Sequence, residues 1–190
     1  GRKVGAAGST DWTSQIWTGV SLAVHASFLL MFYFLPPRPA ALSLDLLDAL
    51  HGRLDELAAG ETPRVLILTG AGSAFCAVMD LKQVISDPDK PRALLSRLAE
   101  FCLKLRALPV VTVAAVHGAA IGGGCGLVTV CDFAVTHAQN KLGFPEVDLG
   151  VCPAVVAPWL VRKVGAGRAR MILLRGGLMS GSQAHELGLV

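Results

Sequence analysis

Residues 110–132, VVTVAAVHGAAIGGGCGLVTVCD, decide how this chain is read. Val110–Val116 is dense in β-branched residues and reads as a strand, closed by a small-residue turn at His117-Gly118. The run Gly122-Gly123-Gly124 then leads into an apolar segment of helical character, Leu127–Cys131. Glycine has no Cβ, so a ligand atom can approach its N–H closely. Where such a run opens a helix, its first N–H groups lack helical partners and sit at the positive end of the dipole. That arrangement holds a phosphate or a developing oxyanion. The plainer alternative is a glycine-rich turn that lets two elements pack closely, and the glycines alone do not separate the two.

The phosphate version fails on the sequence. A P-loop needs Gly-Lys-Ser/Thr, and Gly124 is followed by Cys125-Gly126. The G-x-G-x-x-G spacing of a dinucleotide site is not met either, although Glu146 lies about twenty residues beyond Gly126. The oxyanion version survives. A second junction of the same kind stands upstream, where the apolar strand Arg64–Thr69 ends in Gly70-Ala71-Gly72-Ser73. Two such junctions can present one N–H apiece to a single carbonyl oxygen.

TGAGSAFCAVMDLKQV (69–84), AAVHGAAIGGGCGLVTVCDFAV (114–135) and the stretch from Phe144-Pro145-Glu146 to Val190 together resemble the enoyl-CoA hydratase/isomerase (crotonase) superfamily. The resemblance covers about Arg38 to Val190, and three motifs in the same order make it specific. It implies an α/β fold, a crotonase-like spiral of ββα units, here expected to be partial because the family continues into further C-terminal helices. It also implies an acyl-CoA thioester substrate whose carbonyl is held by the N–H groups of Met79 and Gly123. Ala77, Asp80, Leu81, Lys82 and Gly122 would surround the substrate. Lys82 is the candidate for the coenzyme phosphates, a solvated surface lysine being the alternative. Two departures stand out: Val78 where the family usually has glycine, and Met79 where it often has alanine.

The carboxylates carry the chemistry. Hydratases of the family commonly use two glutamates, one after the glycine run and one in a Pro-Glu motif. Glu146 supplies the second, and Gly126 occupies the place of the first. Two carboxylates suit water addition, since one activates water while the other handles a proton. One suffices to move a proton between two carbons, as in a Δ3-Δ2 isomerase. Against that, the GGGCGL motif and PAVVAPWLVRKVG after it look like methylglutaconyl-type hydratases. The expectation is an enoyl-CoA hydratase-like enzyme using Glu146 alone; the alternatives are an isomerase or a non-catalytic acyl-CoA-binding subunit. The apolar neighbours Phe144, Val147 and Leu149 should desolvate Glu146 and raise its pKa.

Other side chains offer less. His117 can serve as a base but more often such a residue closes a turn. The five histidines have no metal-binding spacing, and no metal or separate cofactor is expected, coenzyme A being part of the substrate. Five cysteines without a C-x-x-C pair point to reduced, buried thiols and a cytoplasmic setting. Asp132 should support a turn or cap. The 190 residues, 53% hydrophobic, can bury one sizeable core. Seventeen scattered basic residues and a net charge of +3 argue against nucleic acid. A homotrimer or hexamer of the full-length protein is implied by the resemblance.

Helices are expected at Leu42–Ala58 with Ser43 as N-cap, over Leu94–Leu105, at Pro153–Val164 and Arg168–Leu174, and in a last one capped by Ser182. A further strand is expected at Phe133–Thr136, within a mainly parallel sheet. Residues 1–36 form an atypical apolar N-terminal segment ahead of the core at 37–190. Ile16–Leu35 is long enough to cross a membrane. The reading preferred is a core strand with an unusual lead-in foreign to the domain, and membrane association is not expected.

Overall fold

The computed structural model describes residues 42–60, 65–77 and 89–190. Residues 1–36 and the apolar run 16–35 lie outside these, as do Val78, Met79, Asp80, Leu81 and Lys82. Among the described residues no helix is long and apolar enough to cross a membrane.

Helix α1 (Leu44–Ala59) starts where Ser43 caps it, its hydroxyl accepting from Leu46 N at 3.2 Å. The buried stripe is Leu47, His51 and Leu54, so the leucines at 46, 50 and 57 flank the core rather than define its centre. His51 is accommodated there by a bond between Nε2 and Arg97 O at 3.1 Å and an edge contact with Phe101. Helix α2 (Asp89–Ala107) buries Leu94, Leu98, Phe101, Cys102 and Leu105, the i, i+4, i+7 face expected of it. It stops two residues before Pro109, whose ring disfavours helix in the preceding residue.

Strands β1 (Val65–Thr69), β3 (Val111–Val116) and β5 (Phe133–Thr136) form one parallel sheet in that order. Strands β2 (Ala74–Ala77), β4 (Ala119–Ile121), β6 (Lys141–Gly143) and β7 (Leu178–Ser180) form another, parallel except for β7. From β1 to β6 successive strands therefore alternate between the sheets, and β1-β2-α2 and β3-β4-α3 (α3, Gly123–Val130) are two turns of the expected ββα spiral. The mainly parallel sheet of the sequence reading is two sheets. Strands β2, β4, β6 and β7 were not foreseen: each has three or four residues, many of them small, so no alternation is visible.

The last helices shift from their expected bounds. Helix α4 is Ala157–Val164, because Pro153–Val156 forms turns ahead of Pro158. Helix α5 is Ala166–Arg175, and α6 (Gly181–Glu186) is capped by Ser180 rather than Ser182. Ser180 and Gln183 exchange side-chain-to-backbone bonds in a capping box, and Ser182 lies inside the helix.

Candidate active site

Three strand ends lie side by side. In the second sheet Ala77 pairs with Ile121, and Ile121 with Gly143. Each is followed by one motif singled out in the sequence: residues 78–82, Gly122–Gly124 and Pro145-Glu146. The ladder thus brings Ala77, Gly122, Gly123 and Glu146 to one edge, whereas Met79, Asp80, Leu81 and Lys82 lie outside the described residues.

Helix α3 begins inside the glycine run, four residues earlier than the apolar segment alone indicated. Gly122 is its N-cap with φ +59°, a region L-residues rarely adopt, and its N–H donates to Gly143 O at 2.8 Å. The first intrahelical bond runs from Gly126 N to Gly122 O at 2.9 Å, so Gly123, Gly124 and Cys125 offer N–H groups without partners inside the helix. Gly124 is required by close approach, since a Cβ there would overlap Cys76 O of β2. Leu42 and Leu98 back Gly123 and keep that side apolar. At the far end of α3, Lys163 Nζ donates to Cys131 O at 2.7 Å and Asp132 O at 2.9 Å, a cation at the negative end of the dipole.

Glu146 stands in the 3₁₀ turn Pro145–Leu149. Phe144, 1% exposed, anchors the turn in the core, and its N–H donates to Gly177 O at 3.1 Å. Gly150, at φ +76°, closes the turn, and Val151 N donates to Glu146 O at 3.0 Å. The Glu146 carboxylate hangs over Gly122: a Cβ built there would lie 3.3 Å from Oε2 and 3.4 Å from Oε1. Glu146 is half-buried, and desolvation holds its pKa above the ordinary glutamate value, opposed by a bond from its own N–H. Asp148 braces the same turn from the other side, over Gly176.

The secondary candidates are occupied elsewhere. His117 Nε2 bonds Gly72 O at 3.0 Å and Nδ1 lies 3.4 Å from Thr69 Oγ1, so its ring holds the first loop in place. Asp132 accepts from Thr112 N and Oγ1 at 2.9 and 2.8 Å and pairs with Arg106, which keeps its pKa low, the Thr112 N–H foremost. Cys76, Cys102, Cys125 and Cys131 are buried, their thiols pushed up to about 11 or 12 by desolvation, while Cys152 is exposed. One residue sequence reasoning missed is Val156, which packs against Gly126. Thirty residues separate the two, and no sequence signal links them.

A family model described as enoyl-CoA hydratase/isomerase matches residues 33–190. An enoyl-CoA hydratase of Alternaria alternata is 35% identical over 155 residues, 82% of this chain and 51% of that protein. The 2,3-dehydroadipyl-CoA hydratase of Escherichia coli is 32% identical over 157 residues, 80% of this chain and 61% of its own length. A crystal structure of an enoyl-CoA hydratase from Bacillus anthracis superposes with a TM-score of 0.74 at 36% identity, covering 79% of this chain and 59% of that one. The chain thus spans about half to three-fifths of the relatives it matches.

Proposed function

The chain belongs to the enoyl-CoA hydratase/isomerase family, and we propose that it acts on an enoyl-CoA thioester, with Glu146 as its proton-transfer group. The observation that carries this is the desolvated Glu146 carboxylate poised over Gly122, beside the N–H groups of a helix start that have no partner inside the helix. The thioester oxygen would accept from Gly123 N–H, with Met79 N–H as the second donor. Negative charge gathering on that oxygen is stabilised by the two donors and the helix dipole.

In the hydration sense, Glu146 takes a proton from water as the oxygen adds to the β carbon. The π electrons move toward the thioester, and the proton returns to the α carbon. Similarity to proteins named as hydratases supports this reading, and the GGGCGL motif points to a methylglutaconyl-type acyl group. In the isomerisation sense, Glu146 takes a proton from the α carbon of a 3-enoyl thioester and returns it to the γ carbon. Gly126 favours this second reading, since it leaves one carboxylate in the two motifs. Turnover of crotonyl-CoA, a 3-enoyl-CoA and methylglutaconyl-CoA by the full-length protein decides among them. Binding without turnover of any would mark a non-catalytic acyl-CoA-binding subunit.

A further inference from the structure

Both of the chain's crossings that lead to Gly122 and to Glu146 are fastened by one buried amide. Residues 116–119 leave the end of β3 for β4, and residues 136–141 leave the end of β5 for β6. Asn140, 4% exposed, joins the two. Its Nδ2 donates to Gly118 O at 2.9 Å and to Thr136 Oγ1 at 2.7 Å, with Val116 O at 3.2 Å. The amide has two N–H bonds to give, and Val116 O is also served by Thr136 Oγ1 at 2.8 Å. Oδ1 accepts from Lys141 N at 2.8 Å, which fixes the way the amide faces. The backbone is committed too: Asn140 N donates to His137 O at 3.1 Å, and Asn140 O accepts from Gly181 N at 3.0 Å.

Strands β4 and β6 have three residues each and pair through Ala120 with Leu142 and Ile121 with Gly143. So short a ladder specifies its register weakly. Carried back by two residues, the same register sets Gly118 opposite Asn140, so the bond from Nδ2 to Gly118 O is an added rung at its start. Its far end is Gly122 N–H on Gly143 O, under the Glu146 carboxylate. A slip of one residue would carry Glu146 about 3.3 Å along the strand direction. That is as far as Oε2 now stands from a Cβ built on Gly122. The glycine run has a separate hold, since β4 also pairs with β2 and Gly124 seats against Cys76 O. We propose that Asn140 is a positioning residue for the proposed reaction, setting β6 in register on β4 and with it the Glu146 carboxylate over Gly122. The inference rests on the reading that Glu146 moves the proton of an enoyl-CoA.

The test compares the full-length protein with Asn140→Ala on its best enoyl-CoA substrate, with melting temperatures measured alongside. Binding of butyryl-CoA, which offers the thioester without a double bond, reads affinity separately. The variant should melt several degrees lower, since it leaves buried carbonyls and an N–H without a partner. Its kcat should fall about 10–100-fold, the scale of a reacting group displaced by about 1 Å. Butyryl-CoA affinity should stay within about threefold, because the glycine run keeps its place. A Glu146 carboxylate freed from its desolvated position should also move the acid limb of kcat/KM toward lower pH. Leu54→Ala, a core truncation in α1, is the control for lost stability alone and should keep both kcat and the limb. Thr136→Val keeps the branched shape and deletes the hydroxyl that receives Nδ2. It carries the test should Asn140→Ala not fold, with kcat lower by roughly threefold, the lower part of what one hydrogen bond supplies. A folded Asn140→Ala or Thr136→Val with parental kcat and an unmoved limb would overturn the proposal. So would equal losses of kcat and affinity, or the same changes in Leu54→Ala. A parent without turnover, or a Glu146→Gln protein as active as the parent, would instead sink the Glu146 reading, and this inference with it.

Discussion

At the scale of single residues, the site turns on what stands over two glycines. Glu146→Gln keeps shape but removes the titrating proton, so kcat should fall by about 10²–10⁴-fold. Affinity for the thioester should change little, because in the proposed reading backbone N–H groups hold it; near-parental turnover would move the chemistry elsewhere. The raised pKa of Glu146 has two consequences of defined sign. Activity that needs the carboxylate should decline with falling pH at a point above the ordinary glutamate range, and a kcat/KM profile reads that limb. A group whose pKa rises on folding adds stability at pH below its unfolded value and loses it as pH climbs through the folded one. The melting temperature of the parent minus that of Glu146→Gln should therefore drop across that interval, and a flat difference would contradict the desolvation. Glu146 and the glycines were legible in the sequence because a motif fixes residue types at fixed spacing. Val156 was not, because a volume shared between a helix residue and the N-cap of a later helix leaves no mark on either segment.

At the scale of elements, legibility followed length. Helices α1 and α2, of sixteen and nineteen residues, show their apolar face several times over, so both were readable as helices, although α2 begins five residues ahead of the expected Leu94. The three- and four-residue strands of the second sheet were not, since they are held by pairing with distant partners rather than by local pattern. The start of α3 was hidden too, because glycine is a poor helix former and its presence there answers to Cys76 O of β2. Lys163 ties this helix down at its other end. Lys163→Met keeps the aliphatic stem and removes the bonds to Cys131 O and Asp132 O. It should cost about 1–2 kcal/mol in chemical denaturation, within the range for a partly buried cation at a helix C-terminus. A loss below about 0.3 kcal/mol, the floor for an exposed charge, would show the lysine to be incidental.

At the scale of the whole molecule, the working parts sit at one edge while an apolar surface lies open elsewhere. Ile67, Phe133 and Val135 on one face of the first sheet are 61–64% exposed, with Val65 and Val111 beside them. Such a patch favours association, in line with the trimer or hexamer that the family resemblance implies for the full-length protein. Light scattering at micromolar concentration should give a mass above the monomer, and a sharp monomer peak would argue against it. A chain begun at about Phe32 should stay soluble with its helix and strand content intact, since every motif of the site lies downstream. Aggregation relieved only by detergent would show that the preceding run is integral to the fold. The paired ends of β2, β4 and β6 bear on how such a protein comes into being. Synthesis runs from the N-terminus, so the parts of this candidate site leave the ribosome in a fixed order, residues 77–82 first, the glycine run next and Glu146 last. On the proposed reading, a nascent chain would gain the donors for a thioester oxygen before it gains the carboxylate that moves the proton, and chemistry would wait on the third strand taking its place in the ladder.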